Sequence, residues 1–508
     1  MKRALLCALG LASQTSAEPV RAARAAEPLD EIIDDGAPQS LPPRPSTSPT
    51  HEPSAFYARG ASRFTAFVDD ADANADRYES RTFLFLGAKS SSHEANPWRV
   101  EVRTDLLARF KSHPEETGGQ AWDLEARPWE LWWRTRIATA LTMTLGYQPL
   151  AWGVLDAGAA ADPFASYDLR LGPVLTPAEV RIPLPAARLT WSPSSRIDLE
   201  FAYLPFFTPH RFDVGGTRYA SLPSTALAPL AKAFDPGTLT RITAPLAQVN
   251  GVDARPDRGE VGLRSTVHFA AFDLGVTAAL ARNRFPSYRV TEAFAAALAT
   301  GSGAALLRVQ QDLDAGVRPI EAVHAHYMQV AVDAQGSWGS MPWGAEIGLS
   351  SKRELLSSAP LTAADPPRAN VLQGGARMSK SVGDLLMTAQ AAVYTLLDPS
   401  SSEAVLAITP MLFGAARTVG LGLVTARYES GAFFLEASAV GLCAGPEASA
   451  RACANTTVLA SGRVAYGTDE WALSLGGTML STPANGSLPI GTAIDQVALR
   501  ADFTPAAR

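Results

Sequence analysis

Few residues in this chain could do chemistry, and they do not converge. His324 and His326 stand two apart at the start of an alternating segment, so a strand would point both the same way. Two imidazoles on one face could begin a metal site, but nothing nearby completes a ligand set, and two polar rim histidines are the expectation. Gly374 and Gly375 precede Lys380-Ser381, yet the spacing is wrong for a phosphate-binding loop and the setting reads as a strand. Neither His-Glu-x-x-His nor Gly-x-Ser-x-Gly occurs. The expectation is a non-enzyme without metal or cofactor.

Charge recurs instead at every second position. Arg99, Glu101, Arg103 and Asp105 alternate with Trp98, Val100, Val102, Thr104 and Leu106. Asp198 and Glu200 alternate with Ile197, Leu199, Phe201 and Tyr203. Arg264 sits among Val261, Leu263, Val267 and Phe269, and Asp273 opposite Phe272, Leu274 and Val276. Near the end, Arg500 and Asp502 alternate with Val497, Leu499, Ala501 and Phe503. Period two gives each strand one polar and one apolar face.

Two architectures make such strands. A soluble sandwich buries its apolar faces between sheets, whereas a transmembrane barrel turns them to lipid around a polar lumen. Many segments run to about ten residues, the span of a tilted membrane strand, while soluble strands average about five or six. The fold expected is therefore all-β: one transmembrane antiparallel barrel of roughly 16–18 strands. Candidate strands include 63–70, 81–90, 98–110, 130–145, 404–415 and 494–503. Trp98, Trp129, Trp132, Trp133, Trp152, Trp191, Trp338, Trp343 and Trp471 sit near segment ends, as interfacial girdles would place them.

Composition agrees. Of 508 residues, 47% are hydrophobic and 19% charged, with 37 Pro and 39 Gly favouring turns over long helices. The net charge of −6 argues against nucleic acid as a partner. Lys2 and Arg3, the apolar stretch Ala4–Ala12 and the small residues Thr15-Ser16-Ala17 read as a signal peptide over 1–17. The Pro-rich stretch 18–60 reads as a disordered periplasmic tail, leaving 61–508 for the barrel. Ala270-Ala271, Ser430 and Gly467–Glu470 suit tight turns, while 206–259, 283–323 and 352–370 suit long extracellular loops or lumen plugs. Thr291–Thr300 and Ala304–Asp314 carry helix-forming spacing. Cys443 and Cys453 flank a hairpin tip, and an oxidising envelope would join them as a disulfide.

One stretch is more specific. Gly146-Tyr147-Gln148 runs to Trp152-Gly153, then to Asp156 and Asp162-Pro163. Arg181-Ile182-Pro183, Leu189-Thr190-Trp191 and Tyr203–Arg211 follow. This resembles a family of proteobacterial outer-membrane barrel proteins with a domain of unknown function, related in architecture to alginate-export-type porins. The resemblance covers roughly 81–219 and is best over Gly146–Arg211. It implies an outer-membrane location and a channel or uptake porin. Val497–Phe503 resembles the aromatic-ended last strand that barrel assembly machinery reads, although Thr504–Arg508 follow it.

The function expected is a channel passing small solutes, its lumen lined by Arg99, Glu101, Arg103, Arg134, Arg136, Asp198, Glu200, Arg264, Asp273, Glu436, Arg463, Arg500 and Asp502. Residues 154–180 could fold inward, making Asp156, Asp162, Asp168 and Arg170 eyelet charges, or could form a solvated surface loop. Partners expected are outer-membrane lipids and a small-molecule solute, with a homotrimer open. The alternatives are a plugged surface barrel acting in adhesion or ligand binding through long loops, and a barrel enzyme at the membrane surface.

Overall fold

Alternating residues become strand after strand. The computed structural model describes residues 55–67, 76–90, 96–111, 121–155, 159–168, 180–211, 259–357, 366–399, 418–445, 456–467, 471–481 and 496–503, with a few positions in 234–242 and 404–414. The signal peptide, most of the Pro-rich tail, Asp156, Arg170 and Cys453 lie outside the described residues.

The chain opens with β1 (Ala55–Phe67), β2 (Asp76–Lys89), β3 (Trp98–Lys111), β4 (Ala121–Ala138), β5 (Leu141–Gln148), β6 (Leu184–Ser194), β7 (Ile197–Leu204), β8 (Glu260–His268) and β9 (Phe272–Arg282). An excursion follows through β10 (Ser287–Val290), α1 (Glu292–Thr300), α2 (Gly303–Asp314) and β11 (Ile320–Val323). Next come β12 (His326–Trp338), β13 (Met341–Glu354), β14 (Leu356–Ser357), β15 (Arg368–Val382), β16 (Leu385–Leu397), β17 (Ala404–Thr409) and β18 (Leu412–Gly414). The chain ends with β19 (Thr418–Ser430), β20 (Phe433–Gly445), β21 (Thr456–Gly467), β22 (Trp471–Ser481) and β23 (Gln496–Phe503).

A single 18-stranded sheet takes in all but β10, β11, β14, β17 and β18. Each strand pairs antiparallel with its neighbours, and β1 pairs with β23 from Gly60↔Phe503 to Phe67↔Gln496, so the sheet closes. The strand total matches the expectation for compensating reasons. The segment read as one strand, 130–145, is two, because β4 and β5 part at Thr139-Ala140. The segment 404–415 instead joins β14 in a small separate sheet. β1 also begins at Ala55, inside the stretch read as tail to 60.

The faces sort as the alternation predicts. Along β3, Val100, Val102 and Leu106 are exposed while Arg99, Glu101, Arg103 and Asp105 are buried. On β22, across the seam between β1 and β23, Leu473 and Leu475 are exposed and Ser474 is buried. The apolar belt therefore lies outside, and the polar residues line the interior. One strand breaks phase. Pro128 in β4 sits at a bulge opposite Glu101 and Val102, where its missing N–H does no harm, and the extra residue turns both Trp129 and Glu130 inward.

Strand ends fall on two rims. One rim has the turns Thr139-Ala140, Ser195-Arg196, Gly339-Ser340, Gly383-Asp384 and Gly431-Ala432, and both ends of the barrel chain emerge there. Gly339, Gly383 and Gly431 have φ of 62°, 58° and 60°, which two-residue hairpins require and other residues resist. Trp98, Trp133, Trp191, Trp338 and Trp471 stand exposed near this rim as a girdle, with Trp338 stacked on Trp343. The opposite rim carries the connections 149–183, 205–259, 283–325, 355–367 and 398–417. The two expected helices are there, each capped by a hydroxyl: Thr291 accepts from Phe294 N–H and Ser302 from Ala305 N–H. Their apolar faces pack with Ile242, Tyr288, Val290 and Ile320 into a small core of their own.

If the outward face meets hydrocarbon, Leu475→Arg should cost about 2–4 kcal/mol of stability in a bilayer. Denaturant titration of the refolded barrel in vesicles measures this, and Ser474→Asn on the same strand should change little.

Candidate functional site: a lumen crossed by an inward segment

The interior wall is charged, and most of its charges are paired. Arg99, Glu101, Arg103, Arg264, Glu200 and Glu436 are buried on the inner face, and Arg463, Arg500 and Asp502 are half-buried there. Arg134 is inward and donates to Thr144 Oγ1 at 3.2 Å. Arg136 is exposed near the tight-turn rim. These residues are not a free lining. Glu101 accepts from Arg99 at 2.6 Å, Arg59 at 3.0 Å and the Tyr57 hydroxyl at 2.8 Å. Arg103 pairs with Asp105 at 2.9 Å and lies over the Trp129 ring at 4.6 Å. Arg264 pairs with Asp333 at 2.8 Å, and Arg188 with Glu200 at 2.6 Å. Asp502 binds Arg500 at 2.5 Å and Arg463 at 3.4 Å. Asp198 and Asp273 clasp His268 between them, each at 2.8 Å.

Part of the predicted inward loop is inward. From the end of β5, the described residues 149–155 and 159–168 run along the inner wall. Trp152, Val154, Leu155 and Phe164 are all buried. Val154 and Leu155 pack on Val371, Ala392, Tyr394, Leu396, Val419 and Leu421. Trp152 and Phe164 meet edge-to-face at 5.1 Å and pack on Leu184, Ala186, Ala202, Ala279 and Ala281. Each such side chain buried contributes on the order of 1.5–3 kcal/mol. The wall accommodates them by being small. A Cβ on Gly262 would come within 2.6 Å of Trp152, one on Gly344 within 2.9 Å of Val154, and one on Gly375 within 2.8 Å of Leu155.

Polar bonds hold the same segment. Glu346 on β13 accepts the N–H of Val154 at 2.9 Å and that of Ala160. Gln329 donates to the Ala160 carbonyl and is itself bonded by Ser350 at 3.3 Å. Trp152 Nε1 donates to Glu200. Gly153, at φ 94°, passes so close to Glu346 that a Cβ would lie 2.6 Å from its Oε2.

Two connections then interlock. Residues 166–168 bridge to 180–182 on one side and to 209–211 on the other: Ile182 N–H donates to Ser166 O at 2.8 Å, and Arg211 N–H to Tyr167 O at 2.9 Å. Asp168, fully buried, pairs with Arg127 at 3.2 Å and Arg211 at 3.6 Å. Asp162 pairs with Arg181; burial still pushes its carboxyl above the usual range, and Arg181 opposes this. His210 accepts the Tyr167 N–H at 3.0 Å on Nδ1, stacks on Tyr167 and packs on Phe285. Burial, then the charges of Arg284 and Arg353, hold its imidazole well below the usual histidine range, so it is neutral.

Several expectations need correction. Trp129 and Trp152 are not girdle residues but buried interior ones. Asp162 and Asp168 are ion-paired anchors, not free eyelet charges. His324 and His326, expected as two polar rim histidines, each meet a backbone carbonyl: His324 Nδ1 lies 2.7 Å from Asn283 O and His326 Nε2 3.3 Å from Gly259 O. Glu346, Gln329 and the small-residue floor were missed. Their signal was an inner face that alternates Gly344, Glu346, Gly348 and Ser350, too small for a simple charged lining.

No protein-family model matches the sequence, and no curated protein matches it. Among solved structures, OccAB4 of Acinetobacter baumannii is similar at 10% identity, TM-score 0.47, over 90% of this chain and 99% of that one. A BenF-like porin of Pseudomonas fluorescens is similar at 11% identity, TM-score 0.47, over 90% and 98%. OccK5 (OpdH) of Pseudomonas aeruginosa follows at 9%, 0.47, 89% and 98%. The barrel stands on its own strand pairing, and likeness at this level adds no argument about what it carries. None of these supports the alginate-export-type comparison.

Overfilling the floor should dislodge the segment: Gly262→Val should cost about 1–3 kcal/mol in heat or denaturant unfolding. The neutral His210 gives a pH dependence. Its folded pKa lies below the unfolded value of about 6.5, so its contribution is complete above that pH and is lost as pH falls toward the folded value. Exchange protection of the Tyr167 amide should therefore fall between about pH 7 and pH 5, and His210→Gln should flatten that slope.

Proposed function

We propose that this chain is an outer-membrane channel passing small hydrophilic solutes through its charged lumen, narrowed by the segment 149–168. The observation that carries the reading is the combination of a closed 18-stranded barrel, an apolar exterior and a polar interior. Barrels of about this strand number leave an aqueous path when side chains alone line them. Short turns on one rim and long connections on the other match periplasmic and extracellular ends, so the chain termini emerge on the periplasmic side. Lipids contact the outer belt, the solute contacts the lumen, and no chemical step is required of either. A homotrimer is the assembly to test by cross-linking in native membranes.

Ion preference in this reading comes from the less deeply buried inner charges on β19–β23, chiefly Arg427, Arg463 and Arg500, which are ion-paired yet 13%, 17% and 13% exposed, against 7% and 0% for Arg99 and Arg103. A second reading has one observation in its favour. Arg63, Arg81 and Arg103 are fully buried, so the interior beside β1–β3 is packed, as in a closed barrel that acts through its loops.

Conductance of the refolded protein in planar bilayers separates the two. The channel reading predicts stable current steps, and Arg463→Glu should shift the anion-to-cation permeability ratio about fivefold toward cations, a total difference of roughly 1 kcal/mol. Folded, inserted protein that never conducts would establish the closed barrel instead.

A further inference from the structure

We propose that Glu346 is the positioning residue that latches the inward connection, described over 149–155 and 159–168, against the inner wall, and that its protonation frees the connection and widens the path. The inference rests on the channel reading and adds a regulation to the same site.

The geometry is that of a carboxylate held for its negative charge by the backbone alone. Glu346 is 5% exposed on the inner face of β13. It accepts two N–H groups, those of Val154 and Ala160. Among the described residues it has no cationic partner, unlike Glu101, Glu200 and Asp333, each of which holds an arginine. The groups facing it do not supply one. Asp333 on β12 is engaged by Arg264, and Asp162 on the segment by Arg181. Tyr394 on β16 brings a neutral phenol, and Arg377 on β15 lies beside Gly344.

Protonation changes this site more than it would an ion pair. An ionised carboxylate accepts both N–H groups, whereas the acid form presents an O–H to one of them. One bond becomes donor against donor, and the other loses its charge assistance. What then holds Val154, Leu155, Ala159 and Ala160 is neutral, the Gln329 and Gln373 amides and the apolar seat on β15 and β16, while Trp152, Asp162 and Asp168 to either side keep their charged partners. The segment should shift toward a released state without leaving the barrel.

The test compares wild type with Glu346→Gln in planar bilayers at pH 7.5 and pH 4.5. In wild type, transitions to a larger conductance should become about tenfold more frequent at pH 4.5, the loss of about one charge-assisted bond. Glu346→Gln should show the acid behaviour at both pH values. A second readout needs no current. Leu155→Cys, on the segment and buried against β15 and β16, should react with a water-soluble maleimide at pH 7.5 about tenfold faster in the Glu346→Gln background, with Cys443 and Cys453 replaced by Ser. Steps that ignore both pH and the substitution, with labelling unchanged, overturn the latch and leave the channel standing. Absent current with accelerated labelling keeps the latch and overturns the channel. A Glu346→Gln protein that does not fold transfers the decision to wild type, where pH-independent steps overturn the latch.

Discussion

In hydrocarbon no backbone N–H or C=O can be left without a partner, and the pairing of β1 with β23 is where this chain meets that requirement. Without that seam the sheet would have two open edges in lipid. With it, every strand of the 18-stranded sheet has two neighbours, and the alternation of side chains acquires a fixed meaning of outside and inside. The exposed Leu, Val and Trp residues that would mark an aggregation hazard on a soluble protein become the lipid-facing surface. The inner residues can then be polar, because they face a lumen rather than a dry core.

A barrel this wide has room to fill, and the chain fills part of it unevenly. Beside β1–β4 the interior is occupied by arginines, carboxylates and the rings of Phe83, Phe85 and Trp129, each charge met by an opposite one or by an aromatic face. Across β8, β13, β15 and β16 the inner face sets Gly262, Gly344, Gly348, Gly375 and Ala392 among larger residues such as Arg264, Glu346, Gln373 and Tyr394, and Trp152, Val154, Leu155 and Ala160 pack at the small positions. The two parts of the interior are therefore filled differently, one by paired side chains of the strands and one by an inward connection.

The sequence made the wall legible and the interior hardly so. Trp98–Leu106 could be assigned to faces residue by residue, because period two in a long segment is a strong signal and one face must meet lipid. The bulge at Pro128 was invisible to alternation, since one inserted residue reverses every later position; it put Trp129 inside. Glu346 was not singled out at all. Its partners are backbone N–H groups about 190 residues earlier in the chain, separations of 192 and 186, and no local pattern encodes such a contact. Gly146 and Gly153 were noticed for their motif, but their reason is close approach: a Cβ on Gly146, at φ 122°, would fall 2.0 Å from Leu131 O.

The central claim is that adjacent residues on these strands face lipid and lumen in turn. Trp132 and Trp133 in β4 test it directly: Trp132 points inward and donates to Glu130 at 3.0 Å, and Trp133 is 42% exposed on the outer face. Two variants retaining one or the other as sole tryptophan would be refolded into vesicles containing brominated lipid. Strong quenching of Trp133 with little quenching of Trp132 is the predicted result. Equal quenching of the two would contradict the account, because no barrel with this register could give it.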